Sequence, residues 1–352
     1  MAEVTIVAHV FTQFELLQAI QQRVRFARAR LGIYDVIDFA VVLLGYAVSS
    51  ERTLEDFYER LKPLGKVFMA LFGRDRLPSH AALSRFLAAL DKPAVEALRT
   101  LFQQDLVARP SPGPGGLRDR EGQHWLVMDV DATKEAARQR ALPHGPDLPA
   151  PHRRMDLVCA PGYAGRKRGE VVRSRTTVLQ AHTRNWIGTF GGAGNGDYRG
   201  ELLRAVEAIT GYAQARSLPL SRILIRLDGL YGDAAPLIDI LMAGLGVVVR
   251  GKDYSLLDLP SVQARLALPP DEQVTHPESG VSRNLFDCLQ VPLTQAGPMV
   301  RMIVATRPAT ATTASIGTTR NGLVYEIFLT TASPQAFTPS DVLHLYEAVR
   351  LL

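Results

Sequence analysis

A chain of 352 residues, 47% hydrophobic and 21% charged, carries enough apolar material for two or three cores, which excludes a disordered chain, a collagen-like repeat and a disulfide scaffold. Its two cysteines, Cys159 and Cys288, cannot build a zinc site between them and fit a reducing compartment, so a cytoplasmic location is expected. The formal charge of +5 admits an anionic partner without demanding one.

The opening MAEVTIVAHVFTQFELL has neither the basic start nor the small-residue cleavage site of a signal peptide. The most apolar stretch, Val41 to Val48, is cut short by Asp38 and Ser49, so no membrane span is expected. From Phe11 to Arg109 apolar residues recur at three and four, as in Leu54, Phe57, Leu61 and Leu64, and residues 1–110 read as an all-α N-terminal domain. Ser79 is placed to cap the helix HAALSRFLAAL and Pro93 to open the next. Such a helix pair is one way to reach a DNA groove. Pro110 to Gly116, PSPGPGG, sustains neither helix nor strand and marks a linker.

Residues 117–252 read as a second domain. His124 to Asp131 is an apolar run ending in carboxylates, a buried strand whose end opens into a site. After a Pro-rich loop, Pro143 to Pro151, the stretches Val171 to His182 and Asn185 to Phe190 read as paired strands turning at Thr183 and Arg184. Tyr198 to Ala215 has helical spacing, Ile223 to Asp228 is a strand, Ala234 to Ala243 a helix and Val247 to Arg250 a strand. The order is β-β-β-α-β-α-β. Residues 253–337 then read as a β-rich insertion with strands at Asn284 to Val291, Val300 to Ala305 and Leu323 to Thr330. Residues 338–352 begin a final helix after Thr338-Pro339-Ser340-Asp341. There is no internal repeat.

Asp129 and Asp131 lie two apart on one strand and so share a face, with no counter-charge next to them in an apolar run. One such Asp often only caps a turn. Here RLDGLYG repeats the design, a buried strand ending in Asp228 with a glycine behind it for the sharp turn. Two carboxylate-bearing strand ends side by side are what a hard Mg²⁺ ion needs. Between Thr133 and Arg184 the basic residues outnumber the acidic by more than the +5 of the whole chain. Arg166, Lys167, Arg168, Arg173 and Arg175 are the densest part, and Arg250 and Lys252 follow the Val247 strand; all are candidates to bind phosphates. His182, in a strand turn, reads as structural, and the glycine run Gly191 to Gly196 lacks the Lys-Ser/Thr of a phosphate loop and reads as a flexible hairpin exit.

In these residues the chain resembles the DDE transposases of bacterial insertion sequences, in the group with a β-rich insertion before the last catalytic residue. The resemblance spans nearly the whole chain. It rests on LGIYDVIDFAVVLLGYAVSSERTLEDFYERL, DVDAT, GYAGRKRGEVVRSRTTVLQAHT, RLDGLYGD followed by GVVVRGK, VYEIFLTTAS and the closing TPSDVLHLY. It implies an RNase H-like α/β fold, a mixed sheet preceded by an all-α domain and carrying a β-rich insertion. It further implies an enzyme that cuts transposon ends and joins their 3′-hydroxyls to target DNA with two Mg²⁺ (or Mn²⁺) ions. The implied partners are double-stranded DNA, as terminal inverted repeats and target, and a second copy of the chain in the DNA complex. Asp228 would be the second catalytic carboxylate. The first would be Asp131 on the Asp-x-Thr spacing or Asp129 if the strand ends earlier, with both expected near metal.

In that group a Glu follows a Tyr and an Arg on the final helix. Here Leu345-Tyr346-Glu347-Ala-Val-Arg350-Leu-Leu352 has the Tyr and Arg at a different spacing, and Glu347 lies about 100° round the helix from Tyr346. The expectation is a C-terminally truncated enzyme that folds and binds DNA but cleaves weakly or not at all. Two rival readings stay open. One is a DNA-binding remnant or regulator without catalysis. The other is a phosphatase using Asp129-Val-Asp131-Ala-Thr133 as its nucleophile loop, Asp129 attacking and Asp131 serving as acid and base.

Overall fold

The computed structural model describes residues 2–25, 32–90, 92–109, 116–136, 160–163, 168–276, 280–309 and 316–347. The chain divides into two compact units, Met1–Arg109 and Pro110–Leu352. The expected linker at 110–116 and the Pro-rich loop at 143–151 lie outside the described residues, apart from Gly116.

The first unit consists of helices, α1 (Ala2–Gln13), α2 (Leu16–Arg23), α3 (Val36–Val48), α4 (Leu54–Leu61), α5 (Gly65–Ala70), α6 (His80–Ala89) and α7 (Lys92–Ala108). Their starts follow from side chains that satisfy the free N–H groups of a first turn. Asp35 and Asp38 form a capping box on α3, Thr53 accepts from the Asp56 N–H, and Ser79 accepts from the Ala82 N–H at 3.2 Å. Pro93 sits in the first turn of α7, where its missing N–H is harmless. The core stacks aromatic rings, Phe39 on Phe86 at 4.3 Å and Phe57 edge-on to Phe68. Asp38, buried at the base of α3, is held by Arg74 at 2.6 Å.

The second unit is one mixed sheet with helices on both faces. Its strands are β1 (Leu117–Arg118), β2 (His124–Ala136), β3 (Ala160–Tyr163), β4 (Arg168–Gln180), β5 (Trp186–Ala193), β6 (Ile223–Leu227), β7 (Gly246–Arg250), β8 (Glu272–Thr275), β9 (Ser282–Pro292), β10 (Met299–Pro308), β11 (Thr318–Arg320) and β12 (Leu323–Thr330). The order is β3-β4-β2-β6-β7-β12-β10-β9-β8, with β1 beside β2, β5 beside β4 and β11 beside β12. β2, β6 and β7 run parallel, and the other pairings are antiparallel. β6 is buried at every residue and the first four residues of β7 are buried too, as expected of parallel strands covered on both faces.

Helices α8 (Tyr198–Ala215) and α9 (Ala234–Met242) follow β5 and β6, α10 (Pro260–Leu266) precedes β8, and α11 (Pro339–Glu347) closes the described chain. α11 packs Val342, Leu343 and Tyr346 onto Leu224, Val248, Ile303 and Phe328. α8 lies on the opposite face: Ser174 and Thr176 reach its Glu201, while Arg173 and Arg175, alternating with them, point the other way. The β-rich segment 253–337 joins the same sheet instead of standing apart, because β12 pairs with β7 through Thr330↔Val248 to Phe328↔Arg250.

The expected order β-β-β-α-β-α-β gains a short strand, β3, between β2 and β4, and β2 itself runs further than expected. β2 does not stop at Asp131 but continues to Ala136, because β4 pairs with it as far as Ala136↔Val172, whereas β6 leaves it after Val130↔Leu227. Beyond Val130, β2 is paired on one edge only.

The α11 face depends on Phe328, 2% exposed and 5.0 Å from the Tyr346 ring. Phe328→Ala is expected to cost about 3–5 kcal/mol of unfolding free energy, read from the shift of the urea midpoint at constant slope.

Candidate active site

The end of the β2–β6 pairing creates the site. Val130↔Leu227 is the last matched pair, so Asp131 and Asp228, the next residue on each strand, emerge side by side where neighbouring strands lie about 4.8 Å apart. Alternation sends both to the α11 face, with Asp129 and Arg226 behind them. Asp131 is exposed and accepts one long bond, from the Thr133 hydroxyl at 3.3 Å. Asp228 is half-buried, and its Oδ1 accepts the Leu230 N–H at 2.9 Å, capping the short turn Gly229–Tyr231. Burial pushes the Asp228 carboxyl above the usual range. The Leu230 bond pulls against that shift, the Asp131 charge adds to it, and Lys252 and Arg250 oppose it without cancelling it.

The glycines around Asp228 are required by close approach. A Cβ on Gly229 would stand 2.9 Å from Arg250 Nη2, and one on Gly232 2.1 Å from the Arg250 carbonyl. Arg250 is therefore packed under the turn. Lys252 donates its N–H to the Gly232 carbonyl at 3.0 Å, and its ammonium reaches the Leu230 carbonyl and Asp233. The turn is also anchored from the α8 side. The Tyr231 ring is buried, its hydroxyl is 3.3 Å from Thr176 Oγ1, and Thr176 and Ser174 both donate to the buried Glu201 carboxylate. Burial drives the Tyr231 hydroxyl far above its ordinary pKa. The glycine run helps here, since a Cβ on Gly196 would strike Ser174 Oγ at 2.2 Å.

Asp129 is placed differently from its neighbour. Both of its oxygens accept from Arg226, at 2.6 Å and 2.9 Å, with the two side chains 10% and 5% exposed, and Arg226 Nη1 donates to the Leu345 carbonyl at 2.9 Å. Expected near a metal, Asp129 instead spends its charge inside the sheet, and Asp131 and Asp228 are the carboxylates left facing outward. Neither Arg226 nor Glu201 and Tyr231 was singled out from the sequence. Arg226 had a signal, a cation within the apolar run ILIRL, which burial forbids without a partner. Glu201 had none.

The basic residues divide. Arg173 and Arg175 lie on β4 on the face of Asp131, since Asp131 pairs with Thr177, Thr133 with Arg175 and Glu135 with Arg173. Glu135 bridges them, accepting from Arg173 Nε at 2.7 Å and lying 2.8 Å from Arg175 Nη1. The two guanidinium stems start about 7 Å apart along the strand. Arg166 and Lys167 lie outside the described residues, and of Arg168 only the backbone is described, at the start of β4.

The free oxygens of Asp131 and Asp228 are hard donors and fit a divalent cation such as Mg²⁺ or Mn²⁺. Among the described residues no cluster of three or more His, Cys, Asp or Glu side chains is gathered for a metal. Glu347 does not supply a third, because it is paired with Arg283.

No family model matches the chain, and no curated protein matches it. Among solved structures it is similar to the piggyBac transposase synaptic complex with hairpin DNA, at 11% identity over 100% of this chain and 67% of that one, with a TM-score of 0.47. It is also similar to endonuclease V from Streptomyces avermitilis, at 13% identity over 73% of this chain and 83% of that one, with a TM-score of 0.23. No helix among the described residues is long and apolar enough to cross a membrane.

Two outcomes are expected. Arg226→Met leaves Asp129 buried without a counter-charge and costs about 3–5 kcal/mol, whereas Asp129→Leu with Arg226→Met restores most of that loss; chemical denaturation of the three proteins measures both. Because folding raises the Asp228 pKa, the folded state holds its proton more tightly, and stability falls as pH rises from the unfolded value through the folded one. Asp228→Asn, which keeps an acceptor for the Leu230 N–H, is therefore expected to raise the unfolding midpoint at neutral pH. The gain should vanish below the ordinary carboxylate range, as followed by thermal melts across pH.

Proposed function

We propose that the chain is a DNA strand-processing enzyme of the DDE transposase type, with an RNase H-like core whose first two acidic residues are Asp131 and Asp228. The observation that carries this reading is their adjacency at the point where β2 and β6 part, on one face, with the Arg173–Arg175 row leading away along β4. The element order after β2, the strands β3, β4 and β5 and then α-β-α-β, supports the same core. Magnesium or manganese held there would polarise a phosphodiester and lower the pKa of an attacking hydroxyl.

The chain's own residues do the rest. Asp131 and Asp228 hold the cation, and the Tyr231–Thr176–Glu201 network and Arg250 keep the Asp228 turn in place. Arg173 and Arg175 bind successive phosphates of a strand, and the raised Asp228 pKa makes cation binding weaken as the carboxyl protonates. With Glu347 committed to Arg283 and Asp129 to Arg226, the two carboxylates left at this point among the described residues hold one ion firmly and a second poorly. DNA binding by this chain is therefore expected to exceed cleavage. A phosphatase reading needs Asp129 as nucleophile, a role opposed by its buried two-point bond to Arg226.

A Mn²⁺ titration by calorimetry and a nicking assay on transposon-end duplexes test the proposal together. Asp131→Asn and Asp228→Asn should each abolish ion binding and any residual nicking while leaving duplex affinity near its starting value. Arg173→Ala with Arg175→Ala should weaken duplex binding and lower the slope of log affinity against log salt by about 2. Cation-independent nicking, or nicking unchanged in both Asn variants, would sink the assignment.

A further inference from the structure

On the same face of the sheet, away from the carboxylates, lies a cavity of about 600 Å³. It opens beside the first residues of β2, where the Ala181 N–H donates to the Val127 carbonyl and β1 pairs with Trp125. Val127 precedes Asp131 by four residues, about 13 Å along an extended strand, so the two sites are distinct. The floor is apolar, formed by Leu117, Val127, Phe337 and Leu345, and the rim is basic, formed by Arg118, His182, Arg184 and His344. All four rim residues are exposed.

The acids around this cavity are already engaged. Asp341 takes the two-pronged bond of Arg120, and Asp119 accepts from the Trp125 indole and the backbone N–H groups of Glu121 and Gln123. Asp129, beneath, is held by Arg226. By contrast, among the described residues the Arg118 guanidinium meets only the His124 ring, at 3.1 Å, and that of Arg184 has no ion-pair partner. Arg184 is presented by a left-handed backbone, φ 56°, uncommon for a residue with a Cβ, and is pinned by its N–H to the Gln180 carbonyl at 2.8 Å.

Uncommitted guanidinium groups at the mouth of an apolar cup suit a ligand with a flat apolar body and a phosphate, because the planar fork matches phosphate oxygens. Small-ligand sites span about 300–1,000 Å³, and this cavity lies within that range. We propose that it binds a nucleotide-sized phosphomonoester, free or at the 5′ end of a strand, with the phosphate on Arg118 and Arg184 and the base on the apolar floor. His182, on the same rim, can hydrogen-bond the ligand, and its pKa is lowered by partial desolvation and then by the Arg226 charge, against the pull of Asp129. The site stands whether or not the carboxylate pair cleaves DNA.

Calorimetric titration of the full chain with AMP, adenosine and a 5′-phosphorylated dinucleotide tests this. AMP should bind saturably at one site, and adenosine, lacking the phosphate, about tenfold or more weakly. Arg118→Ala with Arg184→Ala should weaken AMP by about tenfold or more with an unchanged circular dichroism spectrum, since both side chains are exposed. Asp131→Asn with Asp228→Asn should bind AMP as the parent does, which separates this test from that of the cleavage reading. Tighter binding of the dinucleotide than of AMP supports a strand end as the source, and equal or weaker binding supports a free nucleotide. Absence of saturable binding by either phosphorylated probe, or AMP binding unchanged in the double Arg variant, overturns the proposal.

Discussion

Arg226 is a cation in a strand whose five residues are all buried, a position that desolvation makes untenable without a counter-charge. Asp129 supplies it from the matching register position of β2. A slip of one residue between the strands would turn the two groups to opposite faces, so the ion pair fixes the register in which Asp131 meets Asp228. The third bond, from Arg226 Nη1 to Leu345, ties α11 to the same point. One guanidinium thereby links the two strands that carry the outward-facing carboxylates to the helix that covers them.

The outward-facing site works against this economy. Asp228 is kept half-buried and next to a second carboxylate, an arrangement that raises its pKa and weakens the fold. The compensation is local. Arg250 and Lys252 come in from the end of β7, possible only because Gly229 and Gly232 leave room, and Tyr231 fills the α8 side of the same turn. The motif DGLYG is thus a packing solution as much as a chemical one. Its glycines admit a cation and its tyrosine closes the space behind the acid.

Much of this was legible in the residues, for identifiable reasons. α8 spans Tyr198–Ala215 as its spacing indicates, with Asp197 accepting from the Gly200 N–H at its start, and β12 spans Leu323–Thr330 as its alternation indicates. The adjacency of Asp131 and Asp228 follows from two apolar strands that both reach an acid. What was hidden depends on pairing between distant segments. Whether Asp129 faces a metal or an arginine depends on the register with Ile223–Leu227, and whether residues 253–337 form a separate body depends on β12 meeting β7. Glu201 reads as an ordinary surface residue of an amphipathic helix until β4 delivers Ser174 and Thr176 onto it.

The bond between Arg226 and Leu345 also bears on the order of assembly. β2, β3, β4, β5, α8 and β6 follow one another in sequence and can pair as they emerge during synthesis, N-terminal segments first. Until α11 is made, one prong of the Arg226 fork has no protein acceptor and the α11 face of β6 and β7 stays wet, while roughly 80 residues separate β7 from its β12 neighbour, a long loop to close. A nascent chain paused before residue 323 would present β7 as an open edge, a template for another strand.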